Sequence, residues 1–436
     1  MENNVYLEDR EWKSGCMSVL SYLLNLVLYL LDVAIDVWAV WSLYRQESYV
    51  FMGVLLFILL GSSLLVNSFS FLWLFYDNNE AGTWKKSHVK ILHVFQMGVF
   101  FRYAGVVSIS ICSFCCKKRY TEDNVRYLTN DLSLLRLIET FSESAPQLVL
   151  MLTHIIQRGD MELFTIMKAL VSWLIIAVSV TMYHRSLCSF HPDKAKQGWF
   201  SSITYFLWNL LLIGPRVTAV ALFTSVFPCY IAVHFLSYWM VLFFFAFRCK
   251  TKFMDSAGGE WLYRATVGLI WYFSWLSVVE HTRMLRTFYH IWIGVDIVIL
   301  CGLWVWQMKI NPPYFDLPLD PYVVFGVMMS LYLAGLGLMG VYYKYCHPNV
   351  IQQRNTLVTT NVISIQKTNA LGHNRLCLMK QLDISSGPPI RVNKRMETLA
   401  NNFYSLRTSS EADVFPTCSP PGLERSGSHD VRSPRS

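Results

Sequence analysis

The sequence predicts an all-α polytopic membrane protein. It should have eight transmembrane helices and two re-entrant segments in two pseudo-symmetric halves, followed by a disordered C-terminal tail. Three observations carry that expectation. The 436 residues are 54% hydrophobic and 15% charged, whereas about a quarter of the residues in a soluble domain are charged. Ten apolar runs follow one another along the chain, each near the roughly 20 residues a helix needs to cross hydrocarbon. The basic residues cluster in some of the intervening loops and avoid others.

The runs cover residues 16–43, 50–75, 91–114, 132–156, 162–183, 201–226, 229–247, 261–280, 288–309 and 322–343. Helices are expected for them because a helix satisfies its own backbone in lipid. Residues 1–15 are polar and form a cytoplasmic N-terminus; the first apolar run is too long for a signal-peptide core. Residues 344–436 are rich in Ser, Asn, Thr and Pro and read as a disordered cytoplasmic tail. The aromatic content of 15% suits side chains placed at membrane interfaces.

The net charge of +8 does not indicate nucleic acid, because Lys and Arg lie in short loops and in the tail. There they set topology and meet anionic lipid. Lys85, Lys86 and Lys90 precede the third run, and Lys117, Lys118 and Arg119 follow it. Arg248, Lys250 and Lys252 precede the eighth, and Arg283 and Arg286 follow it. The loops 44–49, 157–161 and 310–320 hold few basics. The positive-inside rule makes the basic loops cytoplasmic. Runs three and eight, basic at both ends, then enter from the cytoplasm and return, which leaves eight crossings and both termini inside. The first repeat spans 16–183, a linker 184–200 and the second repeat 201–343. Transporter folds built from such repeats place the pathway at the repeat interface.

Ionisable residues at membrane depth are the candidate functional residues. Asp32 and Asp36 lie one turn apart in the first run. Arg136, Glu139 and Glu143 share a stripe in the fourth, with Pro146 just beyond. Arg102 sits in the third run, Arg216 in the sixth after Pro215, Glu260 and Arg264 at the start of the eighth, and Asp296 in the ninth. Each costs roughly 2.5–3.5 kcal/mol to insert unless paired or hydrated. Internal ion pairs that pin helices together account for any one of them as well as a transport role does. Together they favour a polar path for lipid headgroups, since buried pairs stabilise weakly. The same charges would also suit a helical channel or an amino-acid transporter.

No metal or cofactor is expected. Asp32/Asp36 and Glu139/Glu143 could supply calcium oxygens, but nearby arginines satisfy the same acids. The sequence holds no P-loop, HExxH or Ser–His–Asp constellation, so an enzyme is not expected. The histidines, including His234 and His290, read as packed or interfacial. The eleven cysteines form no disulfide framework. Cys115-Cys116, followed by three basic residues, fits palmitoylation and fits two reduced thiols equally well.

Five ordered motifs resemble the XK-related family. They are Leu30-Leu31-Asp32-Val33-Ala34-Ile35-Asp36-Val37-Trp38; Leu132 to Phe141 running into Ser144-Ala145-Pro146-Gln147-Leu148; Tyr205 to Asn209 with Pro215-Arg216; Glu260-Trp261-Leu262-Tyr263-Arg264; and Val341-Tyr342-Tyr343 with His347-Pro348. The resemblance covers roughly residues 20–350 and is strongest to the branch that exposes phosphatidylserine in apoptosis. It implies eight spans, two re-entrant segments and energy-independent scrambling of plasma-membrane phospholipids that marks cells for engulfment. It also implies a single-span immunoglobulin-type partner such as basigin, and an executioner caspase acting on the tail. Here the chain departs from that branch: residues 349–382 contain no acid. The cleavage candidates that remain are Asp383 and Asp413, neither with Asp at the fourth position before the cut. Constitutive activity, or control by phosphorylation of the tail, is the alternative.

Within the tail, Met396, Leu399, Ala400, Phe403 and Leu406 repeat at helical spacing. This predicts a short amphipathic helix, with Arg395, Glu397, Asn401 and Asn402 on its other face. Such a helix can lie on the inner leaflet, aided by Lys394 and Arg395, or dock in a groove of its own protein; the resemblance implies docking against the cytoplasmic face of the bundle, where the tail would restrain the active state. A cut after Asp383 would separate it from the bundle; a cut after Asp413 would not.

Overall fold

The computed structural model describes residues 2–78, 86–116, 119–158, 163–190, 198–278, 283–311, 320–347, 350 and 393–404, and these contain helices and no strand. Asp383, Asp413, Glu280 and the Cys115–Cys116 side chains lie outside what is described. Seven helices are long and apolar enough to cross a membrane: α1 (Glu2–Arg45), α2 (Tyr49–Asn78), α7 (Leu163–Ser189), α8 (Trp199–Val226), α9 (Ile231–Arg248), α11 (Arg283–Ile310) and α12 (Pro321–Val341).

The eighth crossing is the charged fourth run. Here α5 (Arg119–Glu139) continues through a π-turn (Thr140–Ser144) into α6 (Ala145–Arg158) as one unbroken rod. Neither half counts as a span alone, α5 because it is polar and α6 because it is short. At the junction the Ala145 N–H donates to Thr140 O, five residues back. The widened register falls immediately before Pro146, which has no N–H to donate.

The third run is a helical hairpin, α3 (Lys86–Val94) and α4 (Gly98–Cys116). Its turn carries Gln96 at φ 62°, and α2 satisfies its polar groups. Gly98 N–H donates to Asn67 Oδ1 at 3.0 Å, and Ser63 Oγ donates to Gln96 Oε1 at 3.0 Å. Irregular backbone at depth is tolerated where protein buries it in this way. A Cβ on Gly98 would lie 2.4 Å from the His93 ring and 2.7 Å from Asn67 Oδ1, so glycine is needed for the close approach.

The eighth run re-enters differently. Helix α10 (Ala257–Phe273) ends where Ser274 turns extended, at φ −150° and ψ 149°. Trp271 Nε1 donates to Leu276 O at 2.8 Å, holding the returning strand against the helix. By Val278 the chain is back beside Tyr263, the two lining one cavity. The lengths agree: ten helical residues rise about 15 Å, and five extended ones span about 16 Å.

Helix α8 is the hub, packed against α6, α7, α11 and α12. In its most apolar stretch 72% of residues are buried, against 6% for α1, which lies at the outside of the bundle. Gly214 lets the Trp173 ring approach α8, and Trp173 Nε1 donates to Leu210 O at 3.2 Å.

The element ends that the sequence assigns to the basic side lie on one face. Asp77, Tyr127, Cys188, the 251–253 loop, Val278 and His347 surround a further helix, α13 (Lys394–Tyr404). The opposite face gathers the other ends: Ser48 pairs with His154 at 3.4 Å, and Gln157 Nε2 donates to Ser225 O at 2.9 Å.

The tail is therefore not wholly disordered. Helix α13 docks with Met396, Leu399, Ala400 and Phe403 buried, as their spacing predicts. Leu406 lies outside the described residues, and Arg395 and Asn402, placed on the helix's other face, are buried as well. They find partners on the bundle that local spacing does not reveal.

Candidate functional site

The charges at depth sort into three groups. The first lies between α1 and the α5–α6 rod. Arg136 pairs with Asp32 at 3.2 Å and with Glu139 at 3.0 Å. One turn along α1, Asp36 Oδ1 accepts from Gln147 Nε2 at 2.7 Å. The Glu143 side chain adjoins Asp36 and Ser62. Tyr29 of α1 stacks on Tyr103 of α4 at 5.0 Å, closing one wall. The π-turn matters here, since the extra residue it accommodates sets the register between Glu139 above and Gln147 below. The group is not sealed: the Arg136 and Asp32 side chains keep 23% and 31% of their exposure.

The second group belongs to the other half. Arg216 pairs with Asp296 and donates through Nε to Tyr272 O at 2.9 Å. His234 Nε2 approaches Asp296 Oδ1 at 3.3 Å, and its Nδ1 lies 3.1 Å from the Tyr272 hydroxyl. The Arg216 side chain is 0% exposed, under the rings of Tyr238 and Tyr272. Here ion pairing and ring faces replace water, and the arrangement ties α8, α9, α10 and α11 together.

The third group lies on the basic face, apart from the first two. Arg102 binds Asp131 at 3.0 Å and donates to Ser70 Oγ and Ser70 O. Arg395 of α13 reaches the same Asp131 at 2.9 Å and grips Asp77 through both terminal nitrogens, at 3.1 and 3.0 Å. Asn393 also donates to Asp131, at 2.7 Å. Burial works against the charge of Asp131, but Arg395 and Arg102 outweigh it and hold the carboxyl below its ordinary range. Glu260 accepts the N–H groups of Phe253 and Met254 at 2.9 and 2.8 Å, and Arg264 donates to Thr251 O. That pair shapes the 251–254 loop.

The ten candidate residues thus divide. Asp32, Asp36, Arg136, Glu139 and Glu143 come together; Arg216 and Asp296 form a separate sealed pair; Arg102, Glu260 and Arg264 stand at the basic face. Sequence reasoning left out Gln147 and His234. Gln147 sits inside a quoted motif, yet an amide does not stand out among apolar residues as a charge does. His234 is an isolated histidine whose acid lies 62 residues away. Among the described residues no group of three or more His, Cys, Asp and Glu could hold a metal ion.

A bundle of long apolar helices, two re-entrant elements and polar clusters at depth defines a polytopic helical membrane protein. The model of the XK-related protein family matches residues 20–348, and the chain belongs to that family. It is 39% identical over 398 residues to XK-related protein 8 of Tetraodon nigroviridis, covering 87% of this chain and 94% of that protein. To XK-related protein 8 of Gasterosteus aculeatus it is 37% identical over 401 residues, covering 86% and 94%. To that of Pan troglodytes it is 34% identical over 387 residues, covering 87% and 92%.

Proposed function

We propose that this chain is a phospholipid scramblase of the plasma membrane, moving phosphatidylserine and other phospholipids between leaflets without a chemical reaction. The observation that carries this reading is the open state of the Asp32–Arg136–Glu139 cluster. A sealed ion pair in a bundle needs no function beyond holding helices. A cluster at span depth that stays part-exposed, beside a helix at the outside of the bundle, must be solvated by something. A zwitterionic headgroup supplies both charges that such a cluster can bind, while its acyl chains remain in hydrocarbon. Asp36, Gln147 and Glu143 extend the polar cluster by a further turn between α1 and the rod.

In this reading the basic face is cytoplasmic, and α13 holds the resting state from that side. An immunoglobulin-type single-span partner would pack on the lipid-facing helices, and proteolysis before Asn393 would free α13. The test is the purified chain in liposomes carrying fluorescent lipid in both leaflets, assayed before and after the tail is removed at Asp383, with the tail-free form read as the active one. Loss of outer- and inner-leaflet fluorescence to an impermeant quencher, without ion flux, is the expected result. Ion flux without lipid movement would indicate a channel, and neither would leave the chain a scaffold.

A further inference from the structure

A cavity of 280 Å³ opens on the basic face exactly where the tail helix meets the bundle. Two elements line it that are more than a hundred residues apart in sequence. The bundle contributes Lys250, Lys252 and Tyr263, and α13 contributes Thr398 and Asn402. Phe253, Val278 and Leu399 supply apolar wall.

The chemistry of the lining selects an anion. Lys250 and Lys252 are both exposed, and neither makes an ion pair among the described residues. Lys250 takes the left-handed conformation, φ 49°, that ends α9. Tyr263, 4% exposed, lines the wall with its ring, stacked on Phe253 at 4.1 Å. The acids nearby do not neutralise the two lysines. Glu260 is engaged by the loop N–H groups and Arg264. Asp255 and Glu397 do not line the cavity.

We propose that this cavity binds a phosphate monoester on a polyol headgroup, the chemistry shared by a phosphoinositide lipid and a soluble inositol phosphate. The two ammonium groups meet the phosphate charge, and the Thr398 hydroxyl oxygen, whose proton goes to Lys394 O, accepts from a polyol hydroxyl. The site follows directly on the last turn of α9, which ends in Arg248, so a headgroup at the membrane surface can reach it. Because α13 forms part of the wall, the site is complete only with the tail docked. By linkage the ligand favours the docked state as strongly as docking favours the ligand. The site therefore reads inner-leaflet composition and holds the tail down. This inference rests on α13 docking and not on lipid scrambling, so the two can fail separately.

The test uses the full chain in detergent with dioctanoyl phosphatidylinositol bisphosphate, inositol trisphosphate and dioctanoyl phosphatidylserine as probes. Binding is read by thermal shift, and docking by trypsin protection of the tail. The phosphoinositide is expected to raise the melting temperature and protect the tail, and phosphatidylserine is not. Equal action by inositol trisphosphate would show that the headgroup suffices and that a soluble ligand can occupy the site. The double variant Lys250→Gln/Lys252→Gln, whose side chains are exposed, should fold and bind roughly thirtyfold more weakly. Unchanged binding in that variant, or an equal response to phosphatidylserine, overturns the proposal. So does an undiminished shift in a chain ending at Asp383, which lacks Thr398 and Asn402.

Discussion

Arg395 and Arg102 share one carboxylate oxygen: Asp131 Oδ2 lies 2.9 Å from the first and 3.0 Å from the second. Both guanidinium groups also lie over the Trp73 ring, at 5.0 and 5.9 Å from its centre. One residue of the tail is thereby joined to the re-entrant hairpin through a single acid.

Replacing Arg395 by Ala removes the charge that Asp77 shares with Asp131. Breaking a buried pair costs about 3–5 kcal/mol, enough to shift α13 from mostly docked to mostly free. The expected outcome is faster trypsin cleavage of the tail and raised phosphatidylserine exposure in healthy cells. Arg395→Lys should fall between, because an ammonium cannot reproduce the fork on Asp77. Wild-type protection in Arg395→Ala would contradict this account.

The same contact fixes a pH response. The carboxyl of Asp131 is depressed in the docked state, so its contribution is fully present above the undocked value. It is lost as pH falls through the docked value. Tail protection should therefore stay flat through neutral pH and weaken only in the acid range, as Asp131 takes up its proton. Loss of protection near neutral pH would place the sensitive group elsewhere.

The two charge clusters at depth should respond differently to mutation. Asp36→Ala and Glu143→Ala each remove a carboxyl group from the first cluster. Each should slow lipid movement in liposomes at least about tenfold at normal expression, a barrier rise of about 1.4 kcal/mol. Arg216→Ala should instead lower the amount of folded protein, since it leaves Asp296 without its guanidinium partner. Normal scrambling in the first two variants would remove those residues from the path.

Gly98→Val tests the first re-entrant turn. The added carbons meet the His93 ring and Asn67 Oδ1, neither of which has room to retreat within a packed hairpin. Overpacking of this kind costs about 1–3 kcal/mol or more. Reduced yield and a lowered melting temperature are expected, whereas Gly53→Ala, which meets nothing within 4 Å, should be neutral.

Topology has its own check. Cysteines placed at Thr121 and Thr282 should resist labelling by an impermeant reagent outside intact cells, because both follow re-entrant runs. Efficient labelling at both would convert these runs into crossings.

Much of this architecture is legible because hydropathy and loop charge act locally. Basic residues on both sides of run three announce a return, and the 3-1-3 spacing of Met396, Leu399, Ala400 and Phe403 announces a helix. What fails to show is anything fixed by distant partners. Arg395 reads only as a member of the helix's polar face because its acids, Asp131 and Asp77, lie 264 and 318 positions away. Arg216 and Asp296 are 80 apart, so spacing cannot pair them. The turn at Gln96 is equally silent, since its stability comes from Ser63 and Asn67 on another helix. Pro146 is an intermediate case: it signals a disturbed helix but not a widened π register.

Because α13 and the bundle belong to one chain, docking is a first-order process. Its equilibrium does not depend on how much protein a membrane holds. A single hydrolysis anywhere between Val350 and Asn393 would leave every contact of Arg395, Asn402 and Tyr404 chemically unchanged. It would change only the molecularity. Rebinding becomes second-order, and the tether's effective concentration is replaced by whatever concentration of free helix the surroundings contain. A reversible clasp is thereby made into a one-way release, with the direction set by dilution and not by any weakening of the interface.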